Sequence, residues 1–438
     1  MKLYDLMTDN RRENILVGSK KPVFSWRVET EKRNVHQESY RVQVWDEQGN
    51  SVWDSGTVEA SRMAGIQYEG KELQSGKRMT WHVSCIFSSD EGVITAEEES
   101  SFETAYHNRE DWKGKFIGET KDHEYHLYRK KFGCKKAVKL AKLYVCGMGA
   151  FECWINGERV SDHVMEPGWT DFRRTCFYTA YDVSEYFAEG ENTENIILVK
   201  LGDCMFNVPG GRYVYFQRSY GKAKLLCQLE LVYEDGSREY VVTDESWKRA
   251  KSPIEFCCIY GGEDFDGKRW TREYLTSEAS EIWEAAVCVE PPLGELKPAP
   301  MEPLRVKEIY QPVSVREVET GVWQYDLGKN FSGWARIFLK TNGSRAGQKV
   351  VLKTAEKLDE NGRIDQSVTG KDYAWTYVLN DKKEQEFAPD FTYTGFRYVE
   401  MTGAVPGKEI SLQGEFIYPD VDQAGDFCCS NTLFNQIH

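Results

Sequence analysis

The sequence predicts an all-β protein built from three β-sandwich or jelly-roll units in tandem. Short segments alternate apolar and polar residues at period two, and clusters of Gly, Asn, Asp and Ser separate them. Helical periodicity is almost absent until the last residues of the chain. Since 438 residues exceed the size that one hydrophobic core usually supports, about three domains are expected.

The first predicted unit, residues 1–106, is a small two-sheet sandwich. Segments such as KPVFSWRV, ESYRVQVWD and RMTWHVSCIF place apolar residues at every second position, as strands with one buried face do. The alternation predicts five inward-facing side chains: Trp26, Tyr40, Val42, Val44 and Trp81.

The second predicted unit spans residues 112–290 and opens with the strand-rich block AKLYVCGMGAFECWINGERV. The Asn156-Gly157 pair within INGE is the strongest short-range signal for a β-hairpin, because both turn positions need a positive φ. Asp235-Gly236 marks another tight turn between strand-like segments. Antiparallel β-structure is therefore expected throughout this unit.

The third predicted unit, residues 304–420, follows the Pro-rich join EPPLGELKPAPMEPLRV, which favours extended backbone and makes a good boundary. After it, residues 426–438 read as the start of an amphipathic helix capped by Ser430 or Asn431. Its apolar face would carry Leu433, Phe434 and Ile437. So short a helix is marginal in water, so that face implies a surface to pack against.

The composition argues against two kinds of partner. A net charge of −14 without a basic patch argues against a nucleic-acid partner, and no apolar run is long enough to cross a bilayer. The first residues lack a signal-peptide pattern, which predicts a cytoplasmic protein. The 12 cysteines lie mostly inside apolar runs without zinc-site spacing, so buried reduced thiols are expected; disulfides in a secreted protein are the alternative.

Five separated segments resemble the N-terminal half of bacterial α-L-rhamnosidases, which are inverting glycoside hydrolases. They are FECWINGERVSDHVMEPGWTDFRRTCFYTAYDV, LGD at 201–203, WQYDLGKNFSGWARI, FTYTGFRYVEMTG and the terminal FCCSNTLFNQIH. The resemblance implies a fibronectin type III-like sandwich at 1–106, a galactose-binding-like jelly roll at 112–290 and a second rhamnosidase β-sandwich at 304–420. Residues 426–438 would open the first helix of an α/α six-hairpin catalytic barrel that is absent from this chain.

The resemblance implies a parent enzyme that releases terminal L-rhamnose from glycosides with inversion. Its partners would be rhamnose-containing glycosides and its own barrel. Inverting glycosidases need an acid and a base roughly 6.5 to 9.5 Å apart. The family carries both groups in the barrel, so no residue of this chain is assigned a catalytic role and the chain alone is expected to be inactive.

One loop departs from the family pattern. Family members often read LGDGWY where this chain has LGDCMF at 201–206, so a Gly and a Trp–Tyr pair are replaced. Exposed sugar sites use aromatic rings as plates, so the replacement predicts that free L-rhamnose binds weakly, with a dissociation constant above about 100 µM.

PGWTDFRR, residues 167–174, is the first candidate sugar-binding segment. It combines an aromatic plate, Trp169, with the charged groups Asp171 and Arg173, which would bind sugar hydroxyls. The alternative is structural: Trp169 packs the loop onto the sandwich, and Asp171 pairs with Arg173 or Arg174.

Two further segments are candidates for sugar binding. YGGEDFDGKRW places Glu263, Asp264 and Asp266 within four residues, which would also suit Ca²⁺ if carbonyls and waters completed the shell, although such turns are common in solvated loops. VPGGRYVYFQRSYG carries Arg212 and Tyr213 on a Gly-hinged loop that would lean over a neighbouring site. No organic cofactor is expected.

Two other functions remain open at this point. The chain would be a stand-alone carbohydrate-binding module if the gene ended near His438. Alternatively, its domains would be a structural scaffold that docks the barrel and touches no sugar.

Overall fold

The computed structural model describes residues 1–11, 16–187, 194–208, 212, 218–275, 282–341, 343, 345–369, 372–421, 423 and 425–437. Strands dominate these residues, which confirms the predicted all-β class. Helical structure in the described part is limited to one α-helix, Thr432–Ile437, and four short 3-10 turns. The turns are Arg109–Asp111, Ser184–Tyr186, Gly267–Arg269 and Arg272–Leu275.

The first unit consists of two antiparallel sheets around an aromatic core. The smaller sheet contains, in spatial order, Lys2–Thr8, Val23–Glu29 and Ile66–Gln67. The larger contains Ser51–Asp54, His36–Asp46, Arg78–Ser89 and Gly92–Glu103, with Val58–Glu59 beside His36–Asp46. All five side chains predicted to face inward are at most 8% exposed, so the period-two interpretation is confirmed.

The second unit is formed by two facing sheets. The first contains Glu158–Arg159, Ala150–Ile155, Glu194–Gly202, His126–Gly133, Lys248–Lys251 and Glu284–Ala285. The second contains Arg238–Val242, Lys224–Tyr233, Val138–Met148, Thr175–Asp182 and Glu295–Pro298, with Ile117–Gly118 beside Lys224–Tyr233. A separate ribbon pairs Asn207–Val208 with Arg218–Ser219.

The predicted hairpin turns form as expected. Asn156 and Gly157 have φ values of 50° and 93°, and Ile155 pairs with Glu158 across the turn. A positive φ at both positions is the signature of the tight turn that Asn-Gly favours. Gly236 likewise has a φ of 79° between the paired strands of the second sheet.

The third unit is one ten-stranded sheet. Its strands are Ile254–Cys258, Gly262–Asp266, Ala374–Val378, Lys349–Ala355, Thr394–Thr402, Val322–Lys340, Ile410–Pro419 and Leu304–Tyr310, with Ser314–Glu319 and Glu384–Phe387 also beside Val322–Lys340. The 19-residue strand Val322–Lys340 changes its register against Thr394–Thr402 between Asp326 and Phe331, and such an irregularity bends a strand. It therefore contributes to the sheet on both sides of the bend.

Two strands join a different unit from the one that the sequence predicts. Ile254–Cys258 and Gly262–Asp266 lie within the predicted range 112–290, yet Gly262–Asp266 pairs in parallel with Ala374–Val378 of the third sheet. The Pro-rich join is thus a boundary in sequence, while hydrogen bonding crosses it in space. The sequence pattern missed this because parallel partners can lie far apart in the chain.

The second and third units share one hydrophobic core. Tyr125, Ala150 and Cys204 of the second unit are buried in the same cluster as Trp375 and Phe391 of the third. A continuous core of this kind resists separation, because parting the units would expose large aromatic side chains to water. The two units therefore position any site at their seam rigidly.

The first unit contacts the second through stacked rings and a buried ion pair. The rings of Tyr106 and Tyr144 stack with centroids 4.2 Å apart and planes 20° apart. Glu103 accepts a hydrogen bond from Tyr144 and pairs with Lys142. These contacts fix the orientation of the first unit on the second sheet of the second unit.

The cysteines follow the expectation from the sequence. None of the 12 forms a disulfide, and nine of them are buried. Burial raises the pKa of thiols such as Cys146 and Cys227 well above the ordinary value, so these groups stay uncharged. No helix in the described residues is long and apolar enough to cross a membrane.

Asn431, one of the two predicted capping residues, caps the terminal helix Thr432–Ile437. The side chain of Asn431 accepts a hydrogen bond from the backbone N–H of Leu433 at 3.0 Å. The predicted apolar face is uncovered: Leu433, Phe434 and Ile437 are 57%, 55% and 73% exposed. The β units of this structure therefore do not supply the surface that this face needs.

We expect amide hydrogen exchange at Phe434 and Ile437 to be fast in a monomeric sample of this chain. Ordering each backbone residue costs roughly 1 to 2 kcal/mol, and two helical turns without apolar burial do not offset that cost. The amide of Val145, on a buried central strand, is the matched slow-exchanging control. Strong protection of Phe434 would contradict the exposed position of the helix.

Candidate functional site

The loop that carries Trp169 borders an apolar cavity between the second and third units. The cavity has a volume of about 280 Å³ and is lined by residues that include Met165, Trp169, Met205, Met301, Leu304 and Tyr393. Trp169 is 47% exposed, so one part of the indole remains available to a partner. An accessible indole beside flexible methionines suits either an apolar protein surface or the C–H face of a sugar.

Asp171 and Arg173 form an ion pair in solvent, as the structural alternative predicted. The guanidinium donates from Nε at 2.8 Å and from Nη2 at 2.9 Å to the two carboxylate oxygens. This hydrogen bonding lowers the pKa of Asp171 to about 2. Neither residue lines the cavity of Trp169, and sugar binding by Asp171 and Arg173 remains a prediction.

Arg212 and Asp264 meet in the structure, although 52 residues separate them in the chain. The guanidinium of Arg212 is ion-paired with Asp264, donates to the carbonyl of Ala374 at 3.1 Å and lies 4.5 Å from the centroid of the Phe256 ring. The side chain of Arg212 is therefore fixed against the third sheet. The predicted contact of Tyr213 lies outside the described residues.

The two other acidic residues of the YGGEDFDGKRW segment are structural. Glu263 is fully buried and accepts hydrogen bonds from the backbone N–H groups of Asp390 and Phe391 at 2.9 and 3.0 Å. Its predicted sugar contact is therefore not supported, because neither oxygen reaches the surface. Asp266, only 6% exposed, caps the following 3-10 turn by accepting from the N–H of Lys268.

The same segment does not assemble a cation site from side chains. Alternation along the strand Gly262–Asp266 directs Glu263 to one face and both aspartates to the other. Within the described residues, no three His, Cys, Asp or Glu side chains converge as metal ligands would. The Ca²⁺ expectation, which relies on carbonyls and waters to complete the shell, stays a prediction.

The sequence did not predict a buried ionic cluster at the seam between the second and third units. The Nζ of Lys200 lies 2.8 Å from Glu152 Oε2 in the second unit and 2.6 Å from Asp390 Oδ2 in the third. The ammonium group also lies 5.2 and 5.3 Å from the ring centroids of Trp154 and Trp270. One cation therefore joins carboxylates of both units inside an aromatic cage.

Burial and charge oppose each other within this cluster. Burial disfavours the ammonium ion, but Asp390 and Glu152 outweigh it and raise the pKa of Lys200 above its ordinary value. Burial raises the pKa of Asp390 to about 6, against the lowering effect of Lys200. Burial also acts on Glu152, but Lys200 and Arg159 overcome it and lower its pKa. The cluster is therefore charged at neutral pH.

Another buried carboxyl, Asp203, has no ion-pair partner among the residues that the structure describes. It is 4% exposed and accepts a hydrogen bond from the Tyr125 hydroxyl at 2.9 Å. Burial raises the pKa of Asp203 to about 7, and the hydrogen bonds from Tyr125 and Asn207 compensate only in part. The Oδ1 atom of Asn207 is itself buried and accepts no hydrogen bond from any described residue.

Comparison with known proteins identifies the family to which these domains belong. Three family descriptions match in succession: "Rha78A-like, N-terminal immunoglobulin domain" at 3–108, "Alpha-L-rhamnosidase N-terminal domain" at 136–308 and "Bacterial alpha-L-rhamnosidase concanavalin-like domain" at 316–418. The chain carries the N-terminal β domains of the bacterial α-L-rhamnosidase family. The resemblance inferred from the five sequence segments is thereby confirmed.

Individual relatives of the family agree. An α-L-rhamnosidase of Formosa agariphila is 27% identical over 99% of this chain and 50% of its own length. An α-L-rhamnosidase of Streptomyces avermitilis is 32% identical over 72% of this chain and 30% of its own. The solved α-L-rhamnosidase from Dictyoglumus thermophilum has a TM-score of 0.86 at 33% identity, covering all of this chain and 51% of that one. The chain thus spans about half the length of its first relatives.

The structure explains the Gly of the family pattern LGDGWY. Cys204 occupies that position with a φ of 45°, a left-handed conformation that glycine adopts without strain and a side chain with Cβ disfavours. The thiol is fully buried in the shared core, so apolar packing offsets part of this strain. The replaced aromatic pair divides: Met205 lines the cavity of Trp169, and Phe206 is buried against Phe172.

The sequence around Lys200 and Asp203 contains one pattern that could have indicated the buried cluster. Both lie at the end of the run NIILVKLGD, and a lone Lys inside an apolar strand is rarely buried unless it is paired. The signal indicates a buried ion pair without naming the partner. Asp390 is 190 residues away from Lys200, so no local pattern could identify it.

Proposed function

We propose that this chain forms the β-domain portion of an α-L-rhamnosidase that releases terminal α-L-rhamnose from glycosides with inversion, with the catalytic groups in a further domain. The observation that carries this proposal is the succession of three rhamnosidase family matches along the chain. It is supported by relatives named as α-L-rhamnosidases that match over about half of their length.

The role of the β domains in such an enzyme is to hold the catalytic domain. The uncovered face of the helix Thr432–Ile437 and the half-exposed Trp169 with its cavity offer apolar surface to a partner. The third sheet, from which the chain continues after Ile410–Pro419, is fixed to the second unit through the shared core. A rigid base of this kind would orient a catalytic domain without contributing to the chemistry.

A second candidate function is carbohydrate binding by the β domains. The exposed part of the Trp169 indole and the 280 Å³ cavity beside it favour this candidate, because aromatic plates bind the apolar face of sugars. In the scaffold alternative, the same surface is covered by protein instead. The fate of Trp169 in the complete enzyme, covered or accessible, separates the two.

We expect the purified chain 1–438 to give no hydrolysis of an aryl α-L-rhamnoside above the buffer rate. The complete product of the gene should hydrolyse it, and proton NMR should show the β anomer of rhamnose first, as single displacement requires. An inverting mechanism needs two carboxyl groups with a water between them. The buried carboxyl groups of Glu263, Asp390 and Asp203 are instead engaged in hydrogen bonds or ion pairs, so they do not supply this arrangement.

Two results would contradict the proposal. One is turnover by the chain alone that is abolished by a substitution within residues 1–438. The other is a complete gene product that folds, by its circular dichroism and cooperative melting, but hydrolyses no rhamnoside. A sample of the chain inactivated by heat serves as the control for buffer hydrolysis.

A further inference from the structure

We propose that a small polar pocket at the seam of the second and third units binds one neutral sugar unit. This seam pocket has a volume of about 190 Å³ and is lined by residues that include Glu152, Arg159, Val306, Trp334, Arg336 and Asp390. The proposal goes beyond the proposed function, since it concerns a binding site formed by the β domains themselves.

The size of the seam pocket sets the size of the ligand. At about 30 Å³ for each water, it has room for about six waters. That is the space of one pyranose ring and is too small for a disaccharide. Pockets at domain interfaces are common ligand sites, and the shared core holds these two walls in place.

The charges of the walls select a neutral ligand. Each charged lining group already has a partner of opposite sign: Glu152 pairs with Arg159 and Lys200, and Asp390 pairs with Lys200. Arg336 is held by Glu415, with Nε and Nη2 donating at 2.5 and 2.9 Å. An ionic ligand would find no unpaired counter-charge, whereas a neutral polyol would meet a dense array of fixed donors and acceptors.

Atoms on both walls remain free for hydroxyl groups. Within the described residues, Arg159 donates only from Nη2, to Glu152 at 2.6 Å and to the carbonyl of His163 at 3.0 Å. Its Nε and Nη1 therefore keep N–H groups, and Asp390 its Oδ1, for which the described residues supply no partner. A guanidinium and a carboxylate on opposite units are the donor and acceptor that adjacent ring hydroxyls require.

The pocket also offers apolar surface for the C–H groups of a sugar. Trp334, Val164 and Val306 contribute to the lining, and the indole N–H of Trp334 is already bonded to Glu415 at 2.6 Å. The indole orientation is thereby fixed. The lining thus combines polar and apolar groups, as the surface of a pyranose does.

Ligand-observed NMR titrations of the chain with L-rhamnose, D-glucose and D-glucuronate test the proposal. We expect saturable binding of at least one neutral sugar with a dissociation constant of about 1 to 20 mM, and weaker binding of glucuronate. Val306→Phe fills the pocket without removing a charge and should weaken that binding about tenfold or more. Val315→Phe, at an exposed valine of the same unit, should change it less than about twofold.

Arg159→Lys is the second variant, since it retains a cation beside Glu152 but removes the free guanidinium donors. It should weaken binding about fivefold, the value of one hydrogen bond, while the melting temperature stays close to wild type. The absence of saturation with either neutral sugar, tighter binding of glucuronate, or unchanged binding by Val306→Phe would overturn the proposal. The titration measures no hydrolysis, so its failure leaves the proposed function untouched.

Discussion

Replacing Lys200 with Met should destabilise the protein by about 3 to 5 kcal/mol, the usual cost of breaking a buried ion pair by removing one partner. Methionine has a similar volume, so the aromatic cage around position 200 stays filled. The loss is electrostatic: Asp390 would keep its burial without a counter-charge 2.6 Å away. Thermal melting followed by tryptophan fluorescence should show a decrease of about 3 to 7 °C.

The matched control is Lys115→Met, since Lys115 pairs with Glu245 on the surface of the same unit with both side chains more than 60% exposed. Exposed pairs contribute only about 0 to 1 kcal/mol. The double variant Lys200→Met, Asp390→Asn should recover part of the lost stability, because it removes the uncompensated charge. Equal melting temperatures for Lys200→Met and Lys115→Met would show that the seam cluster does not hold the units together.

Replacing Asp203 with Asn should stabilise the protein relative to wild type increasingly as the pH rises from 5 to 8. Burial raises the pKa of Asp203 in the folded protein to about 7, above the ordinary Asp value of the unfolded chain. The folded state therefore binds the proton more tightly, and the free energy of unfolding of wild type falls by up to about 1.4 kcal/mol per pH unit between pH 4 and 7. The asparagine cannot ionise, so it does not incur this loss.

Urea unfolding at pH 5, 6, 7 and 8 measures the effect as the difference between variant and wild type, which should change by about 3 kcal/mol across the series. Groups common to both proteins cancel in that difference. Asp54→Asn is the control: Arg41 lowers the pKa of Asp54 to about 2, so this carboxyl is ionised in both states throughout the range. A pH-independent difference for Asp203→Asn would contradict the high pKa.

Local patterns predicted the parts of the fold that depend on neighbouring residues. The hairpin at Asn156-Gly157 formed because its turn chemistry is contained in two residues. Trp26 and Trp81 faced inward because alternation in a strand fixes the side of the sheet. The family resemblance carried the rest of the domain order, which no periodicity reveals.

The candidate site was predicted less well, because its contacts are long-range. Glu263 appeared in a Gly-rich acidic segment typical of a solvated loop, yet parallel pairing with the strand Ala374–Val378 buried it. Trp169 is 47% exposed, and its role as an aromatic plate stays a prediction. The seam cluster depends on Lys200 meeting Asp390, a pairing that only the folded topology brings about.

The parallel pairing of Gly262–Asp266 with Ala374–Val378 has a consequence for biosynthesis. A ribosome must add about 110 further residues before the earlier strand meets its neighbour, which takes about 5 to 20 s at ordinary elongation rates. Throughout that interval one edge of the nascent strand is open, with Phe265 uncovered. Expression fragments that stop between residues 266 and 374 would retain that edge permanently and should aggregate, whereas fragments that include residue 378 can close it.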